Sequence, residues 1–433
     1  MKHYSNPASE TWENILQRPA QSEADIEPIV RGILDEIARE GDPAVRRYEQ
    51  RFGHLGDGAM HVPGTDMAAA EALLEPGLRG AIATALANIT RFHEAQVEQQ
   101  TVVETMPGVR CWRRSIPIQR VGLYIPGGTA PLFSSLLMLG APARIAGCPE
   151  VVVCTPAGKD GKVHPAILHC AQLLGIKEVY RIGGAQAIAA MAFGTATVPR
   201  VDKILGPGNR YVDLAKRLVA QRGTAIDLPA GPSEVAVLAD ATSDPIFVAA
   251  DLLSQAEHGA DSQVLLVSTD AAFSEAVERE VERQLPLLPR EEVARQAMAN
   301  SLSVVMPDAP SALRLIDAYA PEHLILACAN ARSLADLVVH AGSVFIGPYS
   351  CESAGDYASG TNHTLPTNGY ARVSAGVSVD SFVRKTTFQE LTQEGLHALA
   401  PTILAMAEAE GLRAHANAVR VRTAEAIPEN ATT

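Results

Sequence analysis

The feature that most constrains the fold is an alternation of short β-branched runs with Ala-rich helical stretches, which starts near Val121. Apolar runs of this length predict buried strands, and the stretches between them have the length of single helices. A strand, a helix and a second strand in this order form a βαβ unit with parallel strands. This first array is predicted to contain strands at 151–154, 179–182 and 201–205, and helices at 165–174 and 185–193.

The same alternation repeats and predicts a second α/β array. Apolar residues make up 47% of the sequence but aromatic residues only 5%, so the core is built mainly from Ala, Val, Leu and Ile. Such a core suits helices packed on parallel strands. The predicted strands of this array are 235–239, 264–268, 304–306, 324–327 and 344–346, with helices at 245–255 and 271–285.

The rest of the chain is predicted to be helical or irregular. Helical spacing over 23–52 places Ile26, Ile29, Val30, Ile33, Leu34 and Ile37 on one face. A long loop without structure of its own usually has a function, and the Gly- and Ser-rich segment 347–369 is interpreted in this way. The other predictions are a polar lead-in at 1–22, helical stretches at 67–98 and 386–421, and a frayed tail at 425–433.

An acidic surface is expected, because 36 Lys and Arg stand against 49 Asp and Glu and the formal net charge is −13. This charge argues against nucleic acid as a partner. The six cysteines include no C-x-x-C pair, so free thiols in a reducing compartment are expected. The first residues lack the apolar region of a secretory signal, and the most apolar stretch, 132–139, is too short to span a bilayer. A soluble cytoplasmic protein without a membrane partner is expected.

Two segments combine acid, amide and imidazole groups next to predicted elements. Gln255 and His258 lie three residues apart near a helix end and share a face, although a single His there is more often a surface group. Glu322 and His323 follow Pro321 and precede an apolar strand. They could act as general base and water activator, and a solvated loop pair fits these residues equally well.

Two further segments carry similar groups. Residues 352–363 combine Glu352, Asp356 and His363 with turn-forming glycines, and a functional loop is the favoured interpretation. For Glu410 and His415, near the C-terminus, a structural or solvated role is the more common one.

A metal site is one possible use of these groups. Gln255, His258, Asp356 and His415 would offer a mixture of N and O donors that suits zinc or another borderline divalent ion. Sequence spacing does not show that they converge. The glycine-rich segments 127–128, 183–184, 206–209 and 230–233 match neither G-x-G-x-x-G nor a P-loop, so a nicotinamide cofactor does not follow from the residues alone.

In the same order along the chain, these segments closely resemble those of histidinol dehydrogenases. The resemblance covers nearly the whole chain, and several of its motifs are long and unusual. The matching segments are VGLYIPGG (121–128), GGAQAI (183–188), GPGN (206–209), AGPSE (230–234), SQAEHG (254–259), PEHL (321–324), GDYASGTNH (355–363) and AH (414–415).

The resemblance implies an NAD-dependent enzyme that oxidises L-histidinol to L-histidine through histidinal, with two NAD, in the last steps of histidine biosynthesis. It also implies one zinc ion per subunit. The implied zinc ligands are Gln255, His258, Asp356 and, from the partner subunit of a homodimer, His415. Each active site would then be shared between two subunits.

The resemblance further implies a role for each matched position. His323 would take the hydroxyl proton of histidinol, and Glu322 would activate water for the aldehyde step. The substrate-binding positions are Ser233, Gln255, His258, His323, Asp356, His363, Glu410 and His415. The NAD-binding positions are Tyr124, Gln186 and Asn209.

The predicted fold class is α/β, with two Rossmann-like parallel-sheet domains and small N- and C-terminal helical extensions that are exchanged in the dimer. The predicted divisions are an N-terminal arm (1–22), a first α/β domain in two parts (23–115 and 232–377, the second with the zinc and catalytic residues), a second α/β domain on the NAD side (116–231) and a C-terminal helical extension (378–433).

Three other functions remain open at this point. A related zinc alcohol dehydrogenase with another substrate is disfavoured, because Ser233, His363 and Glu410 all match the histidinol pattern. A metal-dependent hydrolase would use Glu322 as base without a nicotinamide, and a metal-stabilised binding protein would turn over no alcohol. The chain departs from the family pattern at Ala320, where Gly is common, and at Cys351, where Pro is often seen.

Overall fold

The computed structural model describes residues 1–19, 23–56, 58–127, 131–228 and 231–423. The chain forms two compact units, a larger one of Met1–Gln96 and Ile118–Phe382 and a smaller one of Val97–Pro117 and Val383–Thr433. Gly128 and Ala230 of the glycine-rich segments, and the tail predicted to fray, lie outside the described residues. The domain bounds proposed from the sequence stay a prediction.

The strands of the described residues form three sheets. In chain order they are β1 (Lys2–Ser5), β2 (Val102–Met106), β3 (Val109–Pro117), β4 (Arg120–Tyr124), β5 (Glu150–Thr155), β6 (Glu178–Arg181), β7 (Lys203–Leu205), β8 (Ala225–Ile226), β9 (Glu234–Ala239), β10 (Gln263–Ser268), β11 (Leu302–Val305), β12 (His323–Leu326), β13 (Ser343–Ile346) and β14 (Val383–Leu391).

The helices of the described residues lie mostly between these strands. They are α1 (Trp12–Ile15), α2 (Glu27–Glu40), α3 (Asp42–Phe52), α4 (Gly64–Ala69), α5 (Pro76–Glu94), α6 (Phe133–Ala146), α7 (Pro165–Leu173), α8 (Gly184–Phe193), α9 (Arg210–Ala220), α10 (Pro245–Ala256), α11 (Ala271–Gln284), α12 (Glu291–Ala299), α13 (Ala309–Tyr319), α14 (Ala331–Ala335), α15 (Glu352–Tyr357), α16 (Gln393–Ala409) and α17 (Arg413–Thr423).

The larger unit contains two parallel sheets with the same strand order. The five-stranded sheet runs β6-β5-β4-β7-β8, and the six-stranded sheet runs β1-β11-β10-β9-β12-β13. Numbered within each array, both follow the order 3-2-1-4-5 of a Rossmann-like sheet, with β1 added at one edge of the larger sheet. The order reverses between β4 and β7 and between β9 and β12. The predicted α/β class with two parallel-sheet arrays is confirmed.

Both sheets are apolar on both faces, which explains the uninterrupted apolar runs in the sequence. In β9, Val235 and Val237 belong to one buried cluster, whereas Ala236 and Leu238 belong to the cluster on the other face. In β5, Val152 and Val153 divide in the same way between two clusters of the five-stranded sheet. Alternate side chains of a strand point to opposite faces, so each sheet must be covered on both sides by helices.

Three helices packed on the six-stranded sheet begin at aspartate N-caps. The carboxylates of Asp244, Asp270 and Asp308 accept hydrogen bonds from backbone N–H groups in the first turns of α10, α11 and α13. Each cap satisfies an N–H group that has no partner within the helix. These residues therefore fix where the crossover helices begin.

The smaller unit contains an antiparallel sheet that the sequence analysis missed. Strand β3 pairs with β2 on one side and with β14 on the other, and the rings of Trp112 and Phe388 stack at 5.5 Å across β3 and β14. The prediction of helix from residue 386 was wrong at its start, because 383–391 is strand and α16 begins at Gln393. The side chains of β3 are mostly half-buried and those of β14 are half-buried or exposed, so neither strand shows the regular alternation of buried and exposed residues that predicts a strand.

Three other predictions need correction. The helical stretch 23–52 is divided by Gly41, which has a φ of 65°, and Ile29 is exposed instead of facing the core. The segment 347–369 is not structureless, because it contains α15. The polar lead-in is not irregular throughout, since β1 pairs in parallel with β11. Among the described residues, no helix has both the length and the apolar character required to cross a membrane.

A buried ion pair fixes the glycine turn after β7. The ammonium group of Lys216 lies 2.5 Å from Asp227 Oδ1, and both side chains are at most 2% exposed. Lys216 also donates to the carbonyl oxygen of Gly206, while the N–H of Gly206 donates to Asp227 Oδ2. The pair therefore holds the peptide groups of the turn from both sides.

Removing one partner should destabilise the protein strongly, because an unpaired buried charge remains. We expect Lys216→Met to lower the free energy of unfolding by about 3 kcal/mol. The double variant Lys216→Met/Asp227→Leu should recover part of this loss. Urea unfolding followed by circular dichroism measures the effect, with Lys159→Met, at an exposed position, as the control. Equal unfolding midpoints for the Lys216 and Lys159 variants would contradict a stabilising role for the pair.

Candidate functional site

Two adjacent strands of the six-stranded sheet, β9 and β12, carry the first part of the site at their amino ends. Ser233 and Glu234 stand at the start of β9, and Glu322 and His323 stand at the start of β12. Because β9 and β12 are adjacent and parallel, with His323 opposite Val235, these residues lie side by side. The candidate chemistry therefore lies at amino ends of strands, whereas open α/β sheets commonly bind ligands at the carboxyl ends.

Glu322 and His323 are held by the backbone of one residue. The N–H of Glu234 donates to Glu322 Oε2 at 2.9 Å, and His323 Nδ1 lies 3.1 Å from the carbonyl oxygen of Glu234. A carbonyl oxygen only accepts, so Nδ1 carries a proton, and whenever the ring is neutral Nε2 is the unprotonated nitrogen. Both side chains are buried, which excludes the solvated loop pair.

The surroundings shift the pKa values of the pair in the same direction. Burial raises the pKa of Glu322 to about 8, although the neighbouring imidazole of His323 opposes this. Burial alone would lower the pKa of His323, but the carboxylates of Glu322, Glu352 and Asp356 outweigh it and raise the pKa to about 10. Three carboxyl groups lie within 3.9 Å of this imidazole, so the charge of each group affects the pKa of the others.

The helices α10 and α15 bring a set of metal-type donors together. His258 lies in the turn just after α10, near the helix end as predicted, and its Nε2 is 4.0 Å from Asp356 Oδ2. Donor atoms of His258, Glu352 and Asp356 all lie within 4.8 Å of one another. Donor groups gathered this closely could hold one metal ion between them.

The side chain of Gln255 is a further indication of a ligand at this position. Its side chain is fully buried in α10, and neither Oε1 nor Nε2 has a hydrogen-bond partner among the described residues. Both carboxylate oxygens of the buried Glu352 also lack a hydrogen-bond partner there, although Oε1 lies 3.9 Å from His323 Nδ1. Buried polar groups are nearly always satisfied, so these orphaned oxygens fit a bound cation.

His363 lies against the same group of residues. Its Nδ1 donates to the carbonyl oxygen of Asp356 at 2.9 Å, and its Nε2 is 3.2 Å from Ser135 Oγ. Burial lowers the pKa of His363, so the ring is neutral near pH 7. The segment 355–363 thus folds back so that its last residue binds the backbone of its second.

Two cavities connect the predicted positions. A cleft of about 1350 Å³ is lined by Ser233 and His258 on one side and by Pro126, Pro207 and Asn209 on the other. A small cavity of about 110 Å³ is lined by Ser233, Glu322 and His363 and shares the 207–208 turn with the cleft. The cleft is large enough for a dinucleotide together with a small substrate.

The positions predicted to contact NAD lie at the carboxyl ends of the five-stranded sheet. Tyr124 ends β4 and Asn209 follows β7, so they flank the point where the strand order reverses. The Tyr124 hydroxyl accepts from the N–H of Gly184, and Asn209 Oδ1 caps α9. Gln186 is buried in the first turn of α8 and donates to Glu49 Oε1.

The remaining two predicted residues belong to the smaller unit. Glu410 is the C-cap residue of α16, and His415 lies in the first turn of α17. Both side chains are exposed. The larger unit thus brings together Ser233, Gln255, His258, Glu322, His323, Asp356 and His363 around one group of cavities and buried carboxylates.

Sequence reasoning gave no role to three buried carboxylates near these residues. Glu352 was quoted within its segment without a function, and Glu234 stood in the matched AGPSE motif. Glu49 accepts from the N–H of Gly183 as well as from Gln186. It is only 1% exposed, in a helix that otherwise shows ordinary amphipathic spacing. The signal in the sequence is that Glu49 falls on the apolar face of α3, four residues after Val45, where a charged side chain is uncommon.

The comparisons with known proteins agree over almost the whole chain. A sequence model of the histidinol dehydrogenase family matches residues 16–423. A curated protein of Bacteroides thetaiotaomicron, named histidinol dehydrogenase, is 53% identical and covers 98% of this chain and 99% of its own. One of Yersinia pestis with the same name is 52% identical over 96% of this chain and 94% of its own.

A solved structure gives the same answer for the fold. The crystal structure of histidinol dehydrogenase from Elizabethkingia anophelis superposes with a TM-score of 0.95 at 51% identity, and the match covers 98% of each chain. Sequence motifs, strand order and superposition therefore agree, and the chain belongs to the histidinol dehydrogenase family.

Proposed function

We propose that the protein oxidises L-histidinol to L-histidine through histidinal, using two NAD and one zinc ion per subunit, in the last steps of histidine biosynthesis. The observation that carries the proposal is the buried pair Glu322 and His323, which borders a cluster of orphaned metal-type donors at the edge of a large cleft. The names of relatives at about half identity over the full length support the substrate.

Zinc would be held by Gln255, His258 and Asp356, with His415 from the partner subunit. The unpartnered amide of Gln255 and the proximity of His258 and Asp356 support this set, and Glu352 offers a further oxygen donor. When bound, zinc supplies an anchor for the imidazole and amino nitrogens of the substrate. A neutral amide ligand fits such a role because it leaves the ion more positive than a carboxylate would.

His323 is the proposed base of the first oxidation. Because its Nδ1 proton is donated to the carbonyl oxygen of Glu234, Nε2 is the atom that takes the hydroxyl proton of histidinol. NAD, when bound, accepts the hydride of each oxidation. The carboxyl groups around His323 favour its protonated form, so they stabilise the ring after the proton has moved.

Glu322 is the proposed base of the second oxidation, in which water adds to the aldehyde. Its carboxyl group is buried, and a base with a raised pKa takes a proton from water more readily than an exposed carboxylate does. The small cavity between Glu322, Ser233 and His363 has room for a water molecule. Burial also protects the aldehyde from bulk solvent between the two steps.

Ser233, His363 and, from the partner subunit, Glu410 are the proposed further substrate contacts. The positions of Ser233 and His363 in the wall of the small cavity support this role. Tyr124, Gln186 and Asn209 are proposed to bind NAD. Support comes from their location at the carboxyl ends of the five-stranded sheet, beside the reversal of strand order where Rossmann-like sheets bind dinucleotides.

The proposed reaction has a defined stoichiometry. We expect purified protein supplied with zinc to form two NADH for each L-histidinol consumed, with activity lost on chelation and restored by zinc. His258→Asn should lose bound zinc and activity together, because it removes a ligand. Absorbance of NADH and metal analysis of the same samples make the measurement. A folded, zinc-loaded protein that forms no NADH from histidinol would contradict the proposed substrate.

The two oxidations should respond differently to loss of the Glu322 carboxylate. We expect Glu322→Gln to slow the oxidation of histidinal by about 100-fold or more, the usual contribution of a general base, and to slow the oxidation of histidinol less. Rates with each substrate separately give the comparison. Glu291→Gln, at an exposed ion pair of α12, is the control. Equal losses in the two steps would argue against water activation by Glu322.

Sharing of sites between subunits can be tested by mixing inactive variants. We expect His415→Ala and His323→Ala homodimers to be inactive, and mixed dimers to recover part of the activity. In a mixed dimer with shared sites, one site carries both changes and the other carries neither. Isolation of dimers with two different affinity tags allows the assay. Verified mixed dimers without activity would show that His415 acts within its own subunit or not at all.

A further inference from the structure

A chain of contacts joins the N-terminal segment to the Glu322–His323 pair. It begins at Arg18, three residues after α1, and ends at the peptide groups of Glu234. The Arg18 guanidinium donates through Nε to Glu234 Oε1 and through Nη2 to Oε2, the second at 2.7 Å. Glu234 is 2% exposed and Arg18 17% exposed, so the ion pair is shielded from solvent.

Arg18 is itself held in place by α13. Its Nη2 donates to the carbonyl oxygen of Tyr319 at 2.8 Å, and its guanidinium carbon lies 4.0 Å from the centre of the Tyr319 ring. The Tyr319 hydroxyl donates to Gln263 Oε1, and Gln263 Nε2 donates to the backbone of Gln17. A planar guanidinium with two parallel bonds to a carboxylate fixes orientation better than an ammonium would.

The carboxylate of Glu234 also binds the segment that carries His363. The N–H of Asn368 donates to Glu234 Oε1 at 2.7 Å. A second contact joins the same two segments: the N–H of Gly231, three residues before Glu234, donates to Thr367 Oγ1, one residue before Asn368. The side chain of Glu234 is thus fixed by three donors from two separate segments, which leaves its own peptide groups little freedom to move.

Those peptide groups are the ones that orient the pair. The N–H of Glu234 donates to Glu322, and its carbonyl oxygen accepts from His323 Nδ1. We propose that Glu234, anchored by Arg18, is a positioning residue that sets the orientation of the Glu322 carboxylate and the tautomer of His323. This inference rests on the proposed function, and it gives the N-terminal segment a part in positioning the Glu322–His323 pair.

The direct test is the protonation pattern of His323 in zinc-loaded protein. In the parent, ¹⁵N chemical shifts of the labelled imidazole should report a proton on Nδ1 at a pH where the ring is neutral. We expect Glu234→Gln and Arg18→Met to shift the population toward the Nε2 tautomer, because the carbonyl acceptor is no longer held in place. This readout needs no substrate, so it holds whether or not histidinol is the alcohol that reacts.

Kinetics should separate positioning from binding. We expect Glu234→Gln and Arg18→Met to lower kcat by about 10- to 100-fold, the loss typical when a group that orients catalytic residues is removed, with little change in KM. Zinc content should equal that of the parent. Arg18→Lys, which keeps the charge but not the paired donors, should fall between the parent and Arg18→Met.

Arg31→Met is the matched control, since Arg31 forms an exposed ion pair with Glu27 on α2. It should leave kcat and the His323 spectrum unchanged. Folded Arg18 and Glu234 variants with the parental tautomer and kcat would overturn the proposal. A parental tautomer with lowered kcat would also overturn it, because activity would then fall by a route other than the pair. Failure of the parent itself to oxidise histidinol, with the tautomer shift intact, would count against the proposed function alone.

Discussion

The parallel pairing of β9 with β12 is the interaction on which the site depends. It places Glu234, at the start of β9, beside Glu322 and His323, at the start of β12, so that the backbone of one residue contacts both members of the pair. These contacts lie at the amino ends of the strands, where the buried N–H of Glu234 binds the Glu322 carboxylate. The other site residues of the larger unit reach the pair from helices and loops around this fixed point.

The two sheets of the larger unit border one cleft with opposite ends of their strands. The six-stranded sheet faces the cleft with the amino ends of its strands, and the five-stranded sheet with the carboxyl ends of its strands. Both sheets have the same strand order. The proposed substrate residues and the proposed NAD residues therefore come from sheets of the same architecture used at different ends. The buried pair of Lys216 and Asp227 stabilises the turn that lines both the cleft and the small cavity.

How much of the structure could be predicted from the sequence depends on which interactions join residues that are close in the chain. Buried parallel strands are continuous apolar runs, and eight strands of the two sheets were therefore predicted to within about two residues, whereas β1, β4 and β8 were given no bounds. The antiparallel sheet of the smaller unit was missed because its strands are half-buried or exposed and lack a regular apolar pattern. The contact between Arg18 and Glu234 could not be predicted from the sequence, because it spans 216 positions and depends on packing. Gln255 and His258 were identified by spacing, whereas their approach to Asp356 required the fold.

One residue beside the pair adopts a backbone conformation that its side chain disfavours. Ala320 has a φ of 54°, in the left-handed region, and it is fully buried between the end of α13 and Pro321. An L-residue loses about 1 kcal/mol or more in this region, so the isolated segment does not favour the turn. The turn is imposed by the packing of α13 and β12 on either side. The orientation of Glu322 and His323 therefore depends on tertiary packing and not on the local conformational preference of the residues before them.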